Sequence, residues 1–141
     1  MKTSLKAALA AAAVSALAAL SAVPAAAEEI AVIVNPQNAA TKMHTEQAAQ
    51  FFLGKSSMFT PVDLAEGSAV RNEFYKKVAD KDAAQVKAIW SKLVFTGKAT
   101  LPKEYKTAAE VKKAVAADPN GIGYIEKSAV DNTVKVILTL Q

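Results

Sequence analysis

No cysteine occurs in the 141 residues. No disulfide can staple the chain, so stability has to come from an ordinary apolar core. The same absence leaves nothing for a lipid to attach to behind an export signal, which excludes a lipoprotein. There is one histidine, His44. A metal site would have to join it to scattered carboxylates, and no helical His/Glu spacing offers that, so no metal and no cofactor are expected. His44 reads as a solvated loop residue. No basic run is present, which removes the usual electrostatic footprint for nucleic acid. Behind the N-terminal leader, no apolar run is long enough to cross a bilayer.

Catalytic and nucleotide motifs are missing as well. "LGKS" (53–56) resembles the end of a phosphate-cradling loop, but Ala49 stands where that motif needs its first glycine. "FTGKAT" (95–100) fails because Ala99 follows Gly97-Lys98. Ser68 and His44 do not make a nucleophilic pair on local evidence, since Ala69-Val70 after Ser68 breaks the G-x-S-x-G turn. No constellation points to an enzyme.

What is present begins with "MKTSLKAALAAAAVSALAALSAVPAAAEE". Lys2 and Lys6 precede an Ala/Leu/Val run that ends on the small residues Ala25 and Ala27. That order is a secretory signal, with cleavage expected after Ala27. An uncleaved anchor fits less well with the small residues and the polar Glu28-Glu29 that follow. Residues 1–27 are therefore expected to be leader and 28–141 one domain, soluble in the periplasm. Taking 27 from 141 leaves 114 residues. Taking Lys2 and Lys6 from 17 cationic side chains, against 13 acidic ones, leaves a charge of +2.

The domain alternates strand-like and helix-like segments. "IAVIVNP" (30–36) is a short β-branched run closed by Asn-Pro and reads as a buried strand. "TEQAAQFFLGK" (45–55) reads as a helix capped by Thr45 and stopped by Gly54. "MFTPVDL" (58–64) reads as a second strand, placed at an edge or a strand start by Pro61. Helical spacing runs from Ser68 to Ala79. Asp82-Ala-Ala-Gln85 is a capping box opening a helix whose Val86, Ile89, Trp90, Leu93 and Val94 form an apolar stripe expected to pack on the sheet. Residues 95–105 read as a loop. Thr107-Ala-Ala-Glu110 opens a further helix, stopped by "DPNG" (118–121). "GIGYI" (121–125) and "TVKVILTL" (133–140) read as strands, with Tyr124 a packing residue. Lys112-Lys113 lies on the polar face of its helix and needs no partner. The expected order is β-α-β-α-α-α-β-β, an α/β fold with one sheet and covering helices.

One short stretch raises a chemical question. In "LAEGSAVRNEF" (64–74) a Gly-Ser pair precedes a helix and Arg71 falls in its first turn. A cation is unfavourable there, because helix N-termini carry partial positive charge. Gly67 permits close approach, Ser68 can cap, and the next backbone N–H groups point outward, as oxyanion sites at helix starts require. Arg71 can add a bidentate contact. The plain alternative is an ordinary serine cap with Arg71 paired to Glu66 or in water.

"IAVIVNPQN", "QAAQFFLGK", "EGSAVRNEFY", "IWSKLVFTGKATLPK", "EVKKAVAADPNGIGYIEKSAV" and "VKVIL" follow one another in this order. Together they resemble the periplasmic phosphate-binding proteins of ABC transporters, a type II periplasmic binding protein fold. The resemblance covers nearly all of residues 28–141. It implies a single periplasmic-binding-protein-like lobe with one mixed sheet, where full-length members have two lobes around a cleft. It also implies phosphate or a similar small oxyanion as ligand at Gly67, Ser68, Ala69 and Arg71, and an ABC transporter membrane component as partner. A homodimer covering the half-open site stays open. The chain departs from the family pattern, which has Ser-Gly-Thr at this helix start and an arginine before it. Ala69-Val70 replace Gly-Thr, and Leu64 stands at the arginine's position. Those departures favour a second reading, an adaptor or sensor-partner module whose ligand site has decayed.

Overall fold

The computed structural model describes residues 28–141, and the expected signal over 1–27 lies outside the described residues. In chain order the elements are β1 (Ile30–Val34), α1 (Thr45–Phe52), β2 (Thr60–Leu64), α2 (Ala69–Ala79), α3 (Ala83–Phe95), β3 (Lys103–Tyr105), α4 (Ala108–Ala117), β4 (Gly121–Glu126) and β5 (Lys135–Leu140). A 3-10 turn at Lys127–Ala129 joins the last two strands.

The five strands form one mixed sheet in the order β3-β2-β4-β1-β5. β1 is antiparallel to both β4 and β5, whereas β2 is parallel to β3 and β4. The register pairs Ile30 with Glu126 and with Leu140, and Leu64 with Tyr105. The C-terminal ends of β2, β3 and β4 therefore share one edge, and α2 and α4 start from it. In α/β sheets the carboxyl ends of parallel strands are where ligands bind.

Side chains alternate between the two faces of the sheet. Tyr124 points to one side, stacked on Phe74 at 3.8 Å between centroids and edge-on to Phe52 at 5.6 Å. These contacts put α1 and α2 on that face. Its neighbour Gly123 points to the other. A methyl built there would lie 2.9 Å from Val111 and 3.1 Å from Val115. The missing side chain is what lets α4 sit down on β4. Val111 and Val115 are fully buried.

Several expectations are corrected by the packing. The segment expected as a loop over 95–105 contains β3, three residues that pair with Val62–Leu64. Helix α1 is capped by His44, with Thr45 its first residue, because the Gln47 side chain reaches back to accept from the His44 N–H at 2.9 Å. Lys112 does have partners: its Nζ donates to the Ala129 carbonyl and to Asp131, both at 2.8 Å. Helix α3 packs on α2 and, through Trp90, on the end of α1 rather than on the sheet. Only Val86 and Trp90 of its stripe are buried, while Val94 and Phe95 are exposed. A helix in a second layer meets its support along a narrow face, so an apolar stripe of full width is left partly bare.

Gly54 ends α1 at φ +75°, directly beneath α3. A methyl there would collide with Leu93 Cδ1 and sit 3.1 Å from the Trp90 ring. Positive φ and overpacking act together. Gly54→Ala is expected to cost about 2 kcal/mol in urea denaturation. A loss of less than about half that would show that α3 shifts freely over the end of α1.

Candidate functional site

Leu64 ends β2, and the Ala65 N–H still donates to the Tyr105 carbonyl at 2.9 Å. The chain then turns through Ala65–Ser68, closed by Ser68 N–H to Ala65 carbonyl at 3.1 Å. Gly67 is the third residue of that turn, with φ +89°. A positive φ at this position defines a type II turn and selects glycine. Nothing lies within 4 Å of where its side chain would be. The glycine thus serves the backbone and leaves an open approach.

Ser68 caps α2. Its Oγ accepts from the Arg71 N–H at 3.2 Å, and its carbonyl accepts from Asn72 N–H. The N–H groups of Ala69 and Val70 meet no protein acceptor among the described residues. Helix α2 also has no acidic residue in its first turn. By contrast α4 carries Glu110, which accepts from the Lys106 N–H and from Thr107, and α3 is capped by the carboxylate of Asp82. The positive end of α2 is the one that its own carboxylates leave uncompensated. Gly67, Ser68 and Ala69 are brought together at this exposed turn.

Arg71 is elsewhere. The residue is 6% exposed, the signature of an interior cation. Nη1 donates to the Leu64 carbonyl at 2.8 Å and to Glu104 at 3.0 Å, and stands 3.9 Å from Asp63. Asp63 and Glu104 are register partners on β2 and β3, both facing α2. Two carboxylates side by side on adjacent strands repel. A guanidinium laid over both offsets that repulsion. Glu66, the local partner considered from sequence, lies instead 3.9 Å from Lys87. With Asp63 and Glu104 beside it, Arg71 offers a free anion little net attraction.

Asp63 anchors a network that the sequence reading missed. One oxygen accepts from Tyr124 Oη and from the Leu64 N–H at 2.9 Å, the other from Tyr75 Oη at 2.7 Å. Burial pushes its carboxyl above the ordinary range, and the Tyr124 hydrogen bond and Arg71 pull back only part of that. Burial and the Asp63 charge push both phenols well above their usual value, so they stay donors. A lone carboxylate between Val62 and Leu64 in a strand was the available signal: such a group requires buried partners.

Among the described residues no group of three or more metal-ligating side chains converges, and no helix is long and apolar enough to cross a membrane. A cavity of about 660 Å³ among the described residues shares no residue with the α2 start.

Comparison by structure places this fold. The chain matches a proposed phosphate ABC transporter substrate-binding protein from Clostridium perfringens, solved with bound phosphate, at a TM-score of 0.61 and 21% identity. That match covers 78% of this chain and 44% of the other. It matches an ABC-type phosphate transport receptor from Vibrio cholerae at 0.63 and 19% identity, over 78% and 46% of the two chains. It matches PstS of Borrelia burgdorferi at 0.51 and 14%, over 78% and 47%. No family model and no curated protein matches by sequence. The chain is a single-lobe structural relative of these substrate-binding proteins and spans less than half their length.

Proposed function

We propose that residues 28–141 form an exported solute-binding lobe that takes phosphate or a similar small oxyanion at the start of α2 and serves a phosphate ABC transport system in the periplasm. The observation that carries this reading is the pair of unpartnered N–H groups at Ala69 and Val70, behind an open glycine turn on the carboxyl edge of the sheet. The bound phosphate of the Clostridium perfringens neighbour supports it by fold. In this reading Gly67, Ser68 and Ala69 meet the anion. Arg71 holds the turn from beneath, through the Leu64 carbonyl.

The test uses a substitution that removes a donor and leaves the helix intact. Ala69 is the first residue of α2, where proline is favoured, and Ser68 already has the extended backbone that precedes a proline. Calorimetry with phosphate, sulfate and acetate is expected to show binding no tighter than about micromolar. Ala69→Pro should weaken phosphate roughly tenfold or more, the worth of one charge-assisted hydrogen bond, at unchanged melting temperature. No heat with any of the three anions up to millimolar concentration would end the reading in favour of an adaptor module.

A further inference from the structure

The 660 Å³ cavity lies beside the first residues of β2, for a reason visible in the sheet. β3 pairs with β2 only from Val62 onward, so Thr60 and Pro61 are left bare along the sheet edge. Pro61 has no N–H to offer another strand. Residues 98–102, in the segment between α3 and β3, line the same cavity. The result is a groove floored by β2 and walled by Phe51, Phe59 and Trp90, with Leu101 at its rim. Phe51 and Phe59 meet edge-to-face at 4.8 Å. Leu101 is 62% exposed, an apolar side chain without a partner.

The charges lining this groove are mostly cationic, two lysines to one carboxylate. Lys98 and Lys103 line it, and neither forms an ion pair among the described residues. Alternation along β3 turns Lys103 toward the groove, while Glu104 faces Arg71 on the other side. One carboxylate, Asp118, also lines it and accepts from the Asn120 N–H at 2.9 Å, which leaves the two lysines in excess by one charge. A volume in the usual range for small-ligand pockets, apolar walls and a net positive lining specify the occupant's chemistry.

We infer that this groove is a second binding site, for a small anionic amphiphile: an acyl or aromatic body against Phe51, Phe59 and Trp90, with its carboxylate or sulfonate at Lys98 and Lys103. The site is independent of the α2 terminus and does not rest on the oxyanion reading. Charge complementarity selects this occupant over a neutral apolar one.

Trp90 is the sole tryptophan and lies in the groove wall, so the protein carries its own reporter. The experiment titrates it with 8-anilinonaphthalene-1-sulfonate, followed by energy transfer from Trp90, and then displaces the probe with octanoate. A ligand of about twenty heavy atoms at ordinary efficiency binds in roughly the tens-of-micromolar range. Saturable one-to-one binding there is expected, with displacement by octanoate. The uncharged N-phenyl-1-naphthylamine should bind about tenfold or more weakly, and the doubly substituted Lys98→Glu/Lys103→Glu protein should lose about tenfold for the sulfonate. Both lysines are exposed, so the variant is expected to fold, and a wild-type denaturation midpoint checks it. No saturable signal up to millimolar probe, or equal affinity in the charge-reversed variant, overturns the inference. A dimer dissolved by Leu101→Ser, with no probe uptake by the monomer, overturns it in favour of self-association through the same groove.

Discussion

Arg71→Ala is expected to destabilise the protein by about 3 kcal/mol in denaturant titration near neutral pH. Removing one member of a buried ion pair leaves the other charge uncompensated, and that is costly in a low-dielectric site. Here the orphan is Asp63, which is 3% exposed. Glu104 suffers less, because its side chain is 42% exposed and water can take over. The three donors that remain on Asp63, from Tyr75, Tyr124 and the Leu64 N–H, keep the loss at the lower end of the range for broken buried pairs. A solvated arginine at a helix N-terminus would behave in the opposite way, since removing a cation there relieves the dipole. A gain in stability, or a loss below about 1 kcal/mol, would place the guanidinium in water.

The pH dependence separates the two accounts further. The folded-state pKa of Asp63 is raised above its unfolded value, so the native state holds that proton more tightly. Stability from this group is fully present below the unfolded pKa and is lost as pH rises through the folded one. Arg71 pulls the folded value down, and its removal lets it rise further. The cost of Arg71→Ala should therefore be smaller at pH 5 than at pH 8. Adding Asp63→Asn to Arg71→Ala should recover part of the loss and flatten the difference. A cost independent of pH, unchanged by Asp63→Asn, would mean that Arg71 acts by packing alone.

The sheet and helices were legible where local pattern and tertiary need agree. The β-branched run at Ile30–Val34 is buried throughout, and Asp82 and Thr107 cap their helices as the boxes at Asp82–Gln85 and Thr107–Glu110 predict. β3 was not legible, because Lys103–Tyr105 has no apolar alternation of its own and is a strand only by pairing with β2. Arg71 was misread for a related reason. Its nearest acidic neighbour in sequence is Glu73 or Glu66, but its partner is Glu104, thirty-three positions away and brought close by that same pairing. The turn at Gly67-Ser68 was legible because its chemistry is local: a positive φ that selects glycine and a hydroxyl that caps. What fills the terminus is a matter of ligand, and a short fragment of sequence specifies the donors without specifying what they meet.

Trp90→Ala is expected to carry the largest cost, about 3–5 kcal/mol. The indole is 6% exposed and is the main anchor of α3, since the outer part of that helix's stripe is bare. It does two things at once. Its ring lies over Gly54, and its Nε1 donates to the Phe52 carbonyl at 2.9 Å. Phe52 belongs to the last turn of α1, whose terminal carbonyls have no partner within the helix. Alanine therefore opens a cavity and takes from that carbonyl its closer donor, leaving the Tyr75 hydroxyl at 3.5 Å. Trp90→Phe separates the terms: it keeps most of the ring and loses the donor, so about 1–2 kcal/mol should remain. The measurement is urea denaturation followed by far-ultraviolet circular dichroism, because the fluorophore is gone in both variants. A loss below about 1 kcal/mol for Trp90→Ala would mean that α3 does not need this contact and is not docked at Gly54. Phenylalanine as costly as alanine would shift the whole effect onto the hydrogen bond at the end of α1.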